Sequence, residues 1–351
     1  MDITQVVSLW CPIASAIHPN WQVWERNTMQ WINEFHLESE QQDSGRLPSI
    51  AAGELAARTA LNPADECGGQ LSADSLMWLF AFDDAYCDEG RYSHSPAAMA
   101  MLVAEMVRVA ETGHTSSRSP LARALVDLRH RLDRLATPEQ AARWTHAMRG
   151  YLTYQVWEAA YRSGSSMPTL DEYAVARIRN GSMEVCAMVL DIAEGYVVPG
   201  DELERADVRA LTEMACSIVG WDNDIASYYK EHERSGDKLN LVDVMANELG
   251  VTPDESLPDV VAFRDATLDL FLRLQRQVAP EVSAETRRYV NGLASWIRGN
   301  LDWSLNTARY RRPDRASITV TEVREREMLP IGPPSGVAWW WHQLAPAPMN
   351  A

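Results

Sequence analysis

An all-α bundle is the fold class the sequence predicts, on three observations. Apolar residues recur at helical spacing, as in Leu211, Ala215 and Val219, and no convincing series of alternating strands is present. Thr169-Leu170-Asp171-Glu172, directly after Pro168, is a capping box that marks a helix start. The stretch from Ser283 through Trp296 and Trp303 to Ala308 lacks proline and reads as one long helix. With 351 residues, 46% of them apolar, the chain can bury a large core.

In chain order, the first informative element holds Leu76 and Phe80, which lead at steps of four into Asp84 and Asp88. An apolar helical row thus runs into carboxylates, and Gly90 is placed to stop the helix. His114 to Pro120 and Tyr161 to Pro168 read as loops. Asn180-Gly181-Ser182 are poor helix formers inside a helical pattern, so a break is expected there, leaving backbone carbonyls without intrahelical partners. Further on, the row Leu211, Ala215, Val219 turns polar at Asn223 and Ser227. The charged segment after Glu231, through Gly236 to Lys238, is expected to be a loop. Beyond Arg312-Pro313-Asp314 the helical periodicity fades, and five prolines break up the remainder. The expected organisation is one domain over 1–315 and a tail over 316–351. The tail's Trp339-Trp340-Trp341 would dock on the bundle or a partner, or act as a lid.

Two polar clusters carry the chemistry. Asn223, Ser227 and Glu231 stand four apart in a helical segment and so share a face, presenting an amide, a hydroxyl and a carboxylate. These hard oxygen donors suit Mg²⁺, and Lys230 adds a phosphate-seeking cation beside them. Asp83, Asp84, Asp88 and Glu89 place four acids within seven residues at a helix C-terminus, where like charges repel and the macrodipole is already negative. A multivalent cation would remove that penalty. Alone, such an acidic helix end is ordinarily solvated surface, and the Asn223 run is the more specific signal.

Together the clusters resemble the bacterial class I terpene synthases, whose hallmarks are an aspartate-rich DDxx(x)D motif and a downstream NDxxSxxKE triad. Those hallmarks read here as Asp83 to Asp88 and Asn223 to Glu231. The family's diphosphate-sensing arginine falls on Arg177, within Glu172-Tyr173-Ala174-Val175-Ala176-Arg177, and its Arg-Tyr pair on Arg309-Tyr310. Cys11-Pro12-Ile13, His18-Pro19 and Trp31 look like the family's opening segment, so the likeness spans residues 8 to 312.

The resemblance implies an all-α bundle around a central cavity, an acyclic prenyl diphosphate as substrate and three Mg²⁺ ions. By the same alignment Asp83, with Asp88 as a further candidate, and Asn223, Ser227 and Glu231 would hold metal. Arg177, Lys230, Arg309 and Tyr310 would bind diphosphate, and Asp84 would pair with Arg309 to couple closure to binding. Asn180 takes the position that links the sensor arginine to the effector, here Gly181. Many relatives carry an acid at that linker, so Asn180 departs from the pattern. Phe80 and Trp303 match positions that line the pocket in relatives, where aromatic faces can stabilise a carbocation. Farnesyl diphosphate is the expected substrate, as the commonest for relatives of this length, with geranyl and geranylgeranyl diphosphate as alternatives. A homodimer is a further expectation, since dimers are common in the family.

Composition excludes several other classes. A net charge of −17 would repel nucleic acid. No uninterrupted apolar run reaches 18 residues and no basic region with an apolar core opens the chain, so a soluble, cytoplasmic protein is expected. Five scattered cysteines without a CxxC pair suggest neither a disulfide framework nor a zinc site. No P-loop and no G-x-S-x-G elbow occurs. A chain-elongating prenyl diphosphate synthase would need a second aspartate-rich motif at Asn223 to Glu231. A non-catalytic helical scaffold would leave the spacing of the four elements unexplained.

Overall fold

The computed structural model describes residues 7–41, 45–88, 90–164, 166–234, 239–310, 318–324 and 332–345, with backbone alone for 229–234. Thirteen helices follow one another among these residues: α1 (Trp21–Phe35), α2 (Ala52–Thr59), α3 (Glu66–Phe82), α4 (Pro96–Thr112), α5 (Pro120–Leu135), α6 (Pro138–Ser163), α7 (Leu170–Asn180), α8 (Met183–Ala193), α9 (Gly200–Leu203), α10 (Ala206–Arg234), α11 (Leu241–Leu249), α12 (Pro253–Val278) and α13 (Ala284–Asn306). Helix starts are fixed locally. Thr137, Thr169 and Thr252 each close a capping box with the Gln or Glu three residues on, and Asp65 caps α3 by accepting from the Gly68 amide. The long proline-free stretch is α13, as its sequence predicts.

Buried apolar side chains form two clusters, one drawn mainly from α1 to α6 with Val185, Val189 and Ile192 of α8 and Trp303 of α13, the other mainly from α7 to α13. A cavity lies where they face each other, walled by α2, α3, α6, the α7–α8 junction, α10 and α13. α3 is buried on nearly all sides, which its almost continuous small and apolar sequence permits. Gly68 is required there, because a Cβ at that position would run into the Ala193 carbonyl oxygen on α8. No helix among the described residues is long and apolar enough to cross a membrane.

Two features escape the helical pattern. Val7–Trp10 (β1) and Ile318–Thr321 (β2) pair in parallel, with Val7 opposite Ile318. Four-residue strands give too short an alternation to stand out in the sequence. Further along the tail, Val337 and Trp340 are fully buried, Trp340 Nε1 donates to Glu213 Oε2 at 2.9 Å, and Arg209 stacks 5.0 Å from the Trp339 ring. The tryptophans thus pack on α10, and none of the three lines the cavity.

Candidate active site

The first rim of the cavity is the end of α3. There the helix widens into one π-turn, Asp83–Cys87, closed by the Asp88 amide donating to the Asp83 carbonyl at 2.9 Å. In a regular α-helix residues five apart point about 140° away from each other. The wider turn brings Asp88 back beside Asp83, and both line the cavity together with Leu76, Leu79 and Phe80. Asp84 is fully buried and does not line the cavity. Arg309 grips it with both terminal nitrogens, at 2.8 and 2.7 Å, and Arg46 Nη2 stands 2.6 Å from its Oδ1. Burial opposes the Arg309 charge, but Asp84 more than offsets it and holds the guanidinium well above its ordinary pKa. The row through Leu76 and Phe80 leads at steps of four to Asp84 and Asp88, but the π-turn puts Asp83, not Asp84, beside Asp88 on the cavity wall.

The second rim is the middle of α10, where Val219, Asn223 and Asp224 line the cavity. Asn223 Oδ1 accepts from Arg177 Nη2 at 3.0 Å, and its Nδ2 donates to the Tyr310 hydroxyl at 2.7 Å. Arg177 also contacts Asp224 Oδ1 at 2.6 Å and donates to the Gly220 carbonyl at 3.2 Å. Burial pushes the Asp224 carboxyl up from its ordinary range against the pull of Arg177 and the Tyr173 hydroxyl. Ser227 is buried, does not line the cavity, and turns its hydroxyl onto the Asn223 carbonyl at 2.7 Å. The side chains of Lys230 and Glu231 lie outside the described residues.

Between the rims sits the α7–α8 break anticipated at Asn180-Gly181-Ser182. Helix α7 stops at Asn180, and Ser182 takes a left-handed conformation at φ 62° before α8 begins. Asn180 Oδ1 accepts from Arg177 Nη1 at 3.3 Å, and the Asn180 carbonyl, released by the break, accepts from Gln155 Nε2 at 2.8 Å. Gly181 lines the cavity, and a Cβ on it would stand 2.9 Å from Arg177 Nη1. Gly220 closes the other side, where a Cβ would stand 3.2 Å from Arg177 Cγ and Nε. Arg177 therefore lies in a slot between two glycines.

Phe80 lines the cavity with Arg309 at 5.1 Å from its ring centroid. Trp303, expected on the cavity wall, is instead fully buried behind it. It packs against Phe80 and Tyr310 and donates to the Ile50 carbonyl at 2.7 Å.

Oxygen atoms of Asp83, Asp84 and Asp88 all fall within 4.8 Å of one another, and two of these carboxylates face an enclosed space. Such hard donors fit a divalent cation of the Mg²⁺ class. Opposite them stand the Asn223 amide, the Arg177 guanidinium and the Tyr310 phenol, with Arg309 on the aspartate side, and these are phosphate-binding groups. An apolar wall below completes a site built for a molecule charged at one end and oily at the other.

The model of the terpene synthase family 2 C-terminal metal-binding domain matches residues 74–269. A germacradien-6-ol synthase of Streptomyces pratensis is 36% identical over 97% of both chains. The chain belongs to the bacterial class I terpene synthases. A (+)-T-muurolol synthase of Streptomyces clavuligerus, named as cyclising farnesyl diphosphate, is 37% identical over 97% of this synthase and 82% of its own length. The crystal structure of SVS_A2, a protein from ancestral sequence reconstruction, matches with a TM-score of 0.82 at 31% identity, covering 96% of this chain and 99% of that one. The enzyme is thus a metal-using terpene synthase with the all-α fold.

Three site residues have no counterpart among the sequence expectations. Arg46, just before a short 3₁₀ turn at Leu47–Ile50, is the second guanidinium on Asp84. Glu158 and Arg162 of α6 line the cavity as a 2.8 Å pair, and Arg162 reaches the Cys87 carbonyl at 2.9 Å. The i, i+4 spacing of Glu158 and Arg162 was a usable signal, though common to solvated helices. Nothing local marks Arg46.

Proposed function

We propose that the synthase ionises farnesyl diphosphate with three Mg²⁺ ions and releases a cyclic sesquiterpene and diphosphate. The observation that carries this reading is the pair of rims: Asp83 and Asp88 on one side, Asn223 with Arg177 and Tyr310 on the other, above an apolar floor. Asp83, Asp88, Asn223, Ser227 and Glu231 would hold the metal ions. When bound, Mg²⁺ supplies charge neutralisation that makes diphosphate a good leaving group.

The chain's own groups do the rest. Arg177, Arg309, Tyr310 and Lys230 bind diphosphate oxygens, so Arg309 leaves part of its hold on Asp84 when substrate enters, while Arg46 keeps that carboxylate paired. Asn180 orients Arg177, and Gly181 lets the guanidinium and the chain-break dipole approach the reacting carbons. Phe80, on the cavity wall, presents its ring to the cation, and the apolar wall excludes water until the cascade ends. Two properties of the relatives support the chain length: the Streptomyces clavuligerus enzyme is named for farnesyl diphosphate, and this synthase matches it over 97% of its own length.

The test is incubation with Mg²⁺ and, separately, geranyl, farnesyl and geranylgeranyl diphosphate, followed by gas chromatography with mass spectrometry and a diphosphate assay. A cyclic C15 product from farnesyl diphosphate alone is the expected result. In a parallel incubation that also holds isopentenyl diphosphate, the five-carbon unit that elongation consumes, a longer prenyl diphosphate as product would assign the chain to elongation instead. Absence of both hydrocarbon and free diphosphate would contradict the proposal.

A further inference from the structure

Below the floor of the cavity lies a second, smaller void. Leu76, Leu79, Cys186 and Trp296 line both spaces, so they form the partition between them. On its far side the void is faced by Ser72, Ser75 and Thr59. The two serines are 7% exposed and Thr59 is 4% exposed. Thr59 donates to the Ala56 carbonyl at 3.1 Å, whereas no side-chain hydrogen bond joins either serine hydroxyl to another residue among the described residues. The void has room for about one water molecule, and two hydroxyls give such a water enough partners to stay.

Ser72, Ser75, Leu76, Leu79 and Asp83 follow the three-and-four spacing of one face of α3 and its extension. That stripe runs from the rim to the void. At 1.5 Å per residue Ser75 lies about 12 Å below Asp83 along the helix and Ser72 about 16 Å. A prenyl chain held by its diphosphate at the rim therefore points its far end at this partition.

We propose that Ser72 and Ser75 are specificity-determining residues that limit substrate length by keeping the end of the cavity polar. This rests on the reading of the site as a prenyl diphosphate pocket. A chain of three isoprene units ends at the apolar partition. A fourth unit has to push past Leu76 and Leu79 and leave two buried hydroxyls facing hydrocarbon, a loss that is not repaid. Polar floor and apolar wall thus discriminate by different terms, and only the polar term disappears when the hydroxyls are removed.

The experiment uses the full chain with Mg²⁺ and two non-ionisable analogues, farnesyl and geranylgeranyl thiolodiphosphate, with affinities measured by calorimetry. In the S72A/S75A variant the preference for the farnesyl analogue should fall by roughly tenfold, with farnesyl affinity and helical content unchanged. An L76A variant, which thins the wall but keeps both hydroxyls, should change the preference less. An unchanged preference in folded S72A/S75A overturns the inference, as does an equal effect of L76A. Binding of neither analogue by the unaltered protein overturns both this inference and the proposed function. Diphosphate release from the natural substrates, assayed in parallel, tests the proposed function alone.

Discussion

The two rims meet the same demand, holding oxygen donors over an apolar cavity, by opposite means. At the α3 rim the backbone departs from the α-helix, and a π-turn sorts three aspartates into two that face the cavity and one sealed between Arg46 and Arg309. At the α10 rim the helix stays regular, and the sorting is done by side chains: Arg177 and Tyr310 hold the Asn223 amide, and Ser227 folds back on its own helix. A dense run of like charges needs its backbone bent before the charges can be separated. A run whose donors stand four apart, with a single carboxylate among them, does not. The α3 rim is therefore the electrostatically costly one, and the α10 rim the geometrically exacting one.

The sharpest way to break that contrast is Asn223→Ala. It removes a neutral donor and no charge, so circular dichroism should show the helical fold kept while Mg²⁺-dependent turnover falls by roughly 10²- to 10³-fold. Near-normal turnover would show that the α10 rim is not part of the site.

On the α3 rim the two neighbouring aspartates should behave differently. Asp84→Asn leaves two guanidinium groups with buried side chains without their shared carboxylate and should cost about 3–5 kcal/mol of stability in chemical denaturation. Asp83→Asn faces the cavity and should lower turnover while moving the unfolding midpoint little. Equal stability losses would mean that the π-turn does not sort them.

A smaller effect tests the exactness of the second rim. Gly220→Ala places a Cβ 3.2 Å from Arg177 Cγ and Nε, so the guanidinium must shift by a few tenths of an ångström. The expected result is a KM for prenyl diphosphate raised about tenfold, equivalent to roughly 1.4 kcal/mol, with thermal stability close to that of the unaltered protein. An unchanged KM would show that the glycine slot is not needed.

The smallest effect lies behind α10, where Asp222, next to Asn223, is held by the fully buried Arg264, which also pairs with Asp265 at 3.0 Å. Burial, more than it is offset by Arg264, pushes the Asp265 carboxyl up to about 6. A folded pKa above the unfolded one means the folded state binds the extra proton between the two values, so stability falls as pH rises through that window, from about 4 to 6. Asp265→Asn cannot titrate. Its denaturation midpoint should therefore drop less than that of the unaltered protein between pH 4 and pH 7. Parallel curves would remove Asp265 from the account.

How much of this was legible in the sequence follows the same contrast. At the α10 rim a regular helix converts spacing directly into a face, and Asn223 lies on the cavity wall, whereas Ser227, four residues on, is buried off it and the Glu231 side chain lies outside the described residues. The capping box at Thr169 and the break at Asn180 were equally local, set by residue types within a few positions. On α3 step-of-four counting alone leads from Phe80 to Asp84 and Asp88, and only the family alignment points to Asp83 beside Asp88, since nothing in Asp83 to Asp88 announces a fifth residue in the turn. Arg46 and the burial of Trp303 were out of reach for another reason. Both are decided by contacts across long sequence separations, Arg46 with Asp84 and Trp303 with the Ile50 carbonyl, which no periodicity encodes. The β1–β2 pairing, joining residues some three hundred positions apart, belongs with them.

The central claim is that both rims grip one diphosphate together with metal, and thermal unfolding tests it most directly, because a ligand that binds only the folded state must raise its stability. Mg²⁺ and inorganic diphosphate added together should raise the melting temperature by several degrees, with little shift from either alone. The combined shift should vanish in both Asp83→Asn and Asn223→Ala. A full shift retained in either variant, or produced by diphosphate without Mg²⁺, would contradict a shared two-rim metal site.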